Sequence, residues 1–332
     1  GRGLCRITGL IRVLTLGTRL GADLQQAQVL ADEGLALADA AQDRQARIRL
    51  MMAYGWVQAS AGELAGCVDR LQELMVLLET VDAPALKVAA WGNLFLVTCL
   101  TARFEEALAM VPQGRAMLAD AQPARAGIGS LNLAATLDQF EGFCWAWTGR
   151  LADALQAYER CIRQADAVGE LAVYARCHAV EAHYHRGDPQ QAMERARQAE
   201  AVSEQLGAPP MLAAREAQAL GFAHLAGGRA ADALVAADRA LAIHRRVDQT
   251  SSGPSAWLRA EALLACGDAA AALAASDEAI ALCGRSLRGN YEILAWGVRA
   301  RALLAVGGAT DTEAARQALD AAGQLIQRTG TT

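Results

Sequence analysis

The chain has 332 residues, 53% of them hydrophobic but only 5% aromatic, and carries a formal charge of −5. Its apolar content is mostly alanine and leucine, both strong helix formers, and the β-branched and aromatic residues a sheet requires are thin, so the class is all-α. The acidic balance, with a pI near 5.6, excludes a nucleic-acid groove, which needs a clustered basic face.

The basic residues are nearly all arginine, Lys87 being the only lysine. Eight cysteines are scattered with no C-x-x-C pair, which reads as reduced cytoplasmic thiols used as small buried residues and not as zinc ligands or a disulfide framework. The most membrane-like stretch, Val88 to Thr101, contains Asn93 and falls short of the roughly 18–20 apolar residues a spanning helix needs. No secretory signal opens the chain and it does not begin with methionine. The expectation is a soluble cytoplasmic domain occupying residues 1–332, excised from a longer protein.

In chain order, turn positions fall at Gly21, Gly62, Ala102, Gly149, Gly187, Gly228, Gly267 and Gly307, at separations of 41, 40, 47, 38, 41, 39 and 40 residues. A period this steady is the mark of a stacked repeat. The segments from Gly149, Gly187, Gly228 and Gly267 each open on glycine, then a polar residue, then an alanine-studded helix. Glycine lets the backbone leave one helix in a left-handed conformation before the next begins. Five positions after the turn stand Cys67, Ala107, Ala154, Ala192, Ala233 and Ala272; seven before it stand Gly55, Gly142, Gly221, Ala260 and Ala300. Small residues at fixed offsets on both helices predict a tight hairpin whose helices touch there. Proline-bearing linkers are predicted over residues 77–86, 119–131, 205–212 and 247–257. The spacing of 47 places an extended loop, and the softest joint, at Gln122 to Ser130.

The pattern resembles the tetratricopeptide-repeat family. Ala154, Tyr158 and Cys161 match the small-aromatic-small run of that motif's second helix, and Gly142 and Leu220-Gly221 match the glycine of its first. The resemblance covers residues 3–328. It departs from the family in a period near 40 instead of about 34, and in lacking the usual tryptophan and proline in most units. Long, degenerate units of this kind are similar to the sensor arms of bacterial STAND ATPases related to the maltose regulator, and of cyclase-linked ATPases. The resemblance implies a right-handed α-solenoid of about eight hairpins whose first helices line a concave groove. Carried over by position, the groove takes Arg49 and Trp56 from the second unit and Gln139, Phe143 and Trp147 from the fourth. The fifth adds Tyr174, Glu181 and His185, and the sixth Arg215, Gln218 and Phe222. Trp257, Glu261 and Arg301 come from the last two. Each aromatic has a second reading, as packing between stacked hairpins.

No chemistry-bearing motif is present: there is no Walker A, H-E-x-x-H or G-x-S-x-G, and Gly127-Ile-Gly129 lacks the third glycine of a dinucleotide fingerprint. His178, Glu181 and His185 share one helix face, a spacing that suits a divalent metal, but no further ligand is evident. The expected function is a protein- or peptide-binding scaffold or sensor arm of a larger bacterial regulator, with no catalysis and no cofactor. Nucleic acid and membrane are not among its expected partners. The alternatives are a stand-alone receptor for a peptide or small-molecule effector and, more remotely, a metal enzyme built on the histidine patch. Solenoid ends also provide a route to homo-oligomers.

Overall fold

Alanine-rich segments wind into helices along nearly the whole chain in a computed structural model that describes residues 2–20, 23–120, 133–165, 169–307 and 309–331. The helices pair in sequence as hairpins. The first four pairs are α1 (Arg2–Leu20) with α2 (Leu24–Ala40), α3 (Arg44–Ser60) with α4 (Leu64–Glu79), α5 (Pro84–Leu100) with α6 (Phe104–Asp120), and α7 (Leu133–Trp147) with α8 (Leu151–Gln164). Four more follow: α9 (Glu170–Arg186) with α10 (Pro189–Gln205), α11 (Pro210–Ala226) with α12 (Ala230–Val247), α13 (Ser252–Ala265) with α14 (Ala269–Arg285), and α15 (Gly289–Val306) with α16 (Ala309–Thr329). Among the described residues there is no strand, and no helix is long and apolar enough to cross a membrane. The loop expected at Gln122 to Ser130, and the turn expected at Gly21, lie outside the described residues.

Local chemistry sets the boundaries. Asp23, Asp43, Asp188 and Asp268 each accept a backbone N–H from three residues on, at 2.9–3.1 Å, starting α2, α3, α10 and α14. The predicted turn glycines from Gly62 to Gly307 take positive φ, and Ala102, the one non-glycine among them, takes φ 58°. The linkers expected near residues 80 and 207 separate helices as predicted. The stretch 247–257 also separates two helices, with Asp248 and a 3-10 turn at Gln249–Ser251 standing between α12 and α13, although the 3-10 turn runs straight into α13. Pro254 lies in the first turn of that helix, where its missing N–H has no intrahelical partner to lose.

The small residues do what their spacing predicts. A methyl group on Gly142 would lie 3.0 Å from the Ala154 carbonyl and 2.8 Å from the Tyr158 ring; one on Gly55 would lie 3.5 Å from Cys67 Sγ. Gly142→Val is expected to lower stability by about 1–3 kcal/mol through overpacking, in thermal unfolding followed by circular dichroism. Gly297, with nothing within 4 Å of a built methyl group, is the control: Gly297→Ala should gain up to about 1 kcal/mol of helix propensity. Equal responses at the two sites would refute the close-contact account.

The superhelix closes on itself. Thr250 Oγ1 donates to the Ala59 carbonyl, 191 residues away in sequence. Gln249 packs against Gly62, Ala102 against Gly289, and Glu105 against Gly330. Hairpins two and three therefore rest on the sixth to eighth, and the long open concave face expected from the repeat is folded inward. One apolar cluster runs continuously from Trp91 through Phe143, Phe222 and Trp257 to Ala302.

A closed interior ringed by aromatic side chains

The inward side is built from first helices. Gln139, Phe143 and Trp147 follow one another at single-turn spacing on α7, as do Tyr174, His178, Glu181 and His185 on α9. Residues i, i+4 and i+8 share a helix face, so each helix offers one stripe to the interior. Six rings from five helices meet in an unbroken circuit. Trp147 meets Tyr291 at 4.9 Å and His185 at 5.7 Å between centroids. His185 meets Tyr184 at 5.1 Å, Tyr184 meets Phe222 at 5.3 Å, Phe222 meets Trp257 at 5.4 Å, and Trp257 returns to Tyr291 at 5.9 Å. Most cross edge-on or tilted, the arrangement ring quadrupoles favour.

Polar groups occupy the same interior. The Tyr291 hydroxyl donates to Glu181 Oε1 at 2.7 Å. Burial pushes the Glu181 carboxyl up to about 7, against the opposing pull of the Tyr291 hydrogen bond and the Arg288 and Arg215 charges. His178 lies between the Phe143 and Tyr158 rings, 5.3 and 5.9 Å away, with Gln139 Nε2 at 3.4 Å from its Nδ1; burial pulls it down to about 3. Arg215 reaches Ser251 and, at 3.4 Å, Asp248. His244, fully buried, has Nδ1 2.8 Å from Ser255 Oγ.

Several interior polar atoms have no partner. Arg288, 2% exposed, has its guanidinium 5.3 Å from the Tyr291 ring and 5.9 Å from the Phe143 ring, and its Nε and Nη1 bond nothing. Both side-chain amide atoms of Asn290, 1% exposed, are likewise unpaired, as are Gln139 Oε1, His244 Nε2 and Trp257 Nε1. Native interiors leave few such groups, and each asks for an explanation.

The residues carried over by position separate into three sets. Gln139, Phe143, Trp147, Glu181, Gln218, Phe222 and Trp257 are buried inside, with Tyr174 and Arg215 partly buried beside them. His185, whose side chain is 29% exposed, marks the rim, where Glu261 also pairs with Arg301 at 3.0 Å. Trp56 and Arg49 stand apart on α3: Trp56 Nε1 donates to Asn93 at 3.0 Å, and Arg49 is exposed. The histidine patch does not converge. His185 Nε2 is 4.0 Å from Glu181, His178 is enclosed by rings, and among the described residues no three His, Cys, Asp or Glu side chains are placed to hold a metal.

Arg288, Asn290 and Tyr291 escaped the positional reading because α15 starts at Gly289, 18 residues before the Gly307 turn. Its first turn adds inward positions beyond those the repeat motif supplies. Arg-Gly-Asn-Tyr at this helix start gave no distinguishing signal, since the second and seventh units also carry polar residues at the matching positions (Asp43 and Gln45; Asp248, Thr250 and Ser251). A separate concavity of about 670 Å³ opens on the outer side between α8 and α10, lined by Arg160, Arg163, His183, Arg186, Asp188 and Arg195 among others.

No protein-family model matches the sequence, and no curated protein matches it. Solved structures do. The chain is similar to a Rap protein complexed with competence and sporulation factor, with TM-score 0.65 at 13% identity, over 97% of this chain and 88% of that one. It is also similar to NprR in complex with its cognate peptide NprX, with TM-score 0.59 at 12% identity, over 93% and 86%. The APC/C heterotetramer Cut9–Hcn1 follows at 0.55 and 13%, over 95% of this chain and 55% of that one. At such identities the likeness shows the fold: a tetratricopeptide-like α-solenoid.

Proposed function

We propose that the chain is a binding module without catalytic chemistry, holding a peptide or an extended protein segment on the inward face of its superhelix. The observation that carries this reading is the ring circuit set beside buried polar atoms without partners. Apolar rings supply contact area and fixed polar groups supply orientation, the usual division of labour in a recognition site. A structure stabilised only by packing gains nothing from leaving Arg288 and Asn290 unpaired. Two solved proteins of similar fold have peptides or a sporulation factor as their partners, which supports the same class of ligand here.

In this reading the module is the sensor arm of a larger bacterial regulator. Its turns meet through a handful of contacts, among them Thr250 with Ala59 and Tyr291 with Glu181. A ligand that binds the parted and closed forms unequally shifts their balance by that difference in affinity and nothing else. Small-angle scattering of the full chain, alone and with a pool of synthetic heptapeptides, provides the test, with native mass spectrometry identifying what is retained. A saturable subset of peptides should be held at a one-to-one ratio with a change in radius of gyration. Retention of no peptide at millimolar concentration would overturn the reading.

A further inference from the structure

We propose that the concavity between α8 and α10, on the outer side of the superhelix, binds a phosphomonoester through Arg163, Arg186 and His183. It lies apart from the inward face and does not depend on what that face holds. Arg160 and Arg163 line it from α8, Arg186 from the end of α9 and Arg195 from α10. Two of these charges are already matched: Asp138 and Glu141 hold Arg160 at 3.1 and 2.9 Å, and Glu159 holds Arg195. Among the described residues no carboxylate pairs with Arg163 or Arg186. Two guanidinium groups from separate helices therefore border one hollow of about 670 Å³ with their charge unmatched.

His183 lines the same hollow and is 6% exposed, yet its Nδ1 has no hydrogen-bond partner. Asp188 Oδ2 stands 3.9 Å from it, beyond bonding reach, and Asp188 Oδ1 already accepts the Gln191 N–H at 3.1 Å. In the tautomer with its proton on Nδ1, the imidazole adds a third unused donor to the two guanidinium forks. This donor set selects the ligand class. A phosphomonoester carries about −1.5 to −2 charge and three acceptor oxygens, enough for both arginines and the imidazole. A carboxylate has one charge and two oxygens, and leaves one arginine unmatched. The hollow also far exceeds a single phosphate group, with Leu155, Gln156 and Gln191 beside it for the rest of the ligand. A phosphorylated side chain of a partner protein and a free small phosphate ester share this chemistry, and experiment separates them.

The test uses the full chain and two kinds of probe. Heptapeptide pools carrying phosphoserine, serine or glutamate at one fixed position are scored by native mass spectrometry, and free O-phosphoserine and serine are titrated by calorimetry. At least tenfold preference for the phosphorylated probe over its serine counterpart is expected. Arg163→Gln combined with Arg186→Gln should lower that affinity at least tenfold. Gln156→Glu, which adds a negative charge to the exposed wall of the hollow, should lower it severalfold. Arg246→Gln, an exposed arginine on α12, should leave it unchanged. In 15N-labelled protein the His183 ring resonances, assigned through His183→Gln, should move on titration with O-phosphoserine, and those of His244, fully buried elsewhere, should not.

Phosphopeptides held at least tenfold more tightly than O-phosphoserine would uphold the site and assign it to a phosphorylated partner segment. Comparable or tighter binding of O-phosphoserine would uphold it as a site for a free phosphate ester. Binding that survives the double arginine variant would overturn the site, as would glutamate peptides held as well as phosphoserine ones, or neither phosphorylated probe bound at millimolar concentration. Should the double variant fail to fold, Gln156→Glu decides: an unchanged affinity for both probes counts against the site.

Discussion

Asp138→Ala is expected to destabilise the protein by about 3 kcal/mol, the low end of the range for breaking a buried ion pair. Asp138 has no exposed surface, yet its carboxylate takes Arg115 at 2.8 Å, Arg160 at 3.1 Å and Gln164 at 2.9 Å. Glu141 takes the same two arginines at 2.6 and 2.9 Å. The cluster joins α6 to α7 and α8, and so ties the first three hairpins to the last five across the segment 121–132. Removing Asp138 leaves two cations facing one carboxylate around a cavity. Both arginines keep some solvent contact, at 45% and 31% exposure, which is why the low end of the range applies.

An exposed pair gives the contrast. Arg316 and Glu313, 62% and 56% exposed, pair in solvent, where screening and side-chain entropy leave little net gain, so Glu313→Ala serves as the control. Urea denaturation of the full chain measures both, and hydrogen exchange should show α6 losing protection first in Asp138→Ala. A variant as stable as the parent would mean the cluster is decoration on a joint held by packing alone.

How much of this was legible follows from the range of each signal. The hairpins were, because their determinants are local: a glycine at positive φ, a small residue on each facing helix, a proline at a helix start. Gly142 against Ala154 spans 12 residues of sequence and reads directly from spacing. The closure was not. Tyr291 meets Glu181 across 110 residues and Thr250 meets Ala59 across 191, contacts set by the rotation accumulated over successive hairpins, which no single repeat encodes. Arg160 shows the same limit. On an amphipathic second helix it reads as part of a solvated outer face, and only the neighbouring α7 reveals the buried carboxylates it serves. The state of the inward positions was not legible either: Phe222 and Trp257 are buried ring against ring in an interior already closed around them.

Glu181→Gln is expected to stabilise the protein relative to the parent at pH 8 far more than at pH 5. Glu181 is 7% exposed, and burial raises its carboxyl from the ordinary 4.5 to about 7. Between those two values the folded chain holds a proton the unfolded chain has released, so the stability linked to this group is present at low pH and is lost as pH rises toward 7. At about 1.4 kcal/mol for each pH unit separating the two values, the parent loses about 2–3 kcal/mol relative to the variant between pH 5 and pH 8. His178, drawn down to about 3, and His244, also drawn down, act in the opposite sense, gaining stability as pH rises toward the ordinary histidine value. Those contributions are common to both proteins and cancel in the difference. The amide oxygen introduced by the substitution still accepts the Tyr291 hydroxyl, so the comparison isolates the proton. Paired denaturation curves at the two pH values measure it, and a parent–variant difference that stays constant across the range would show that Glu181 is ionised throughout.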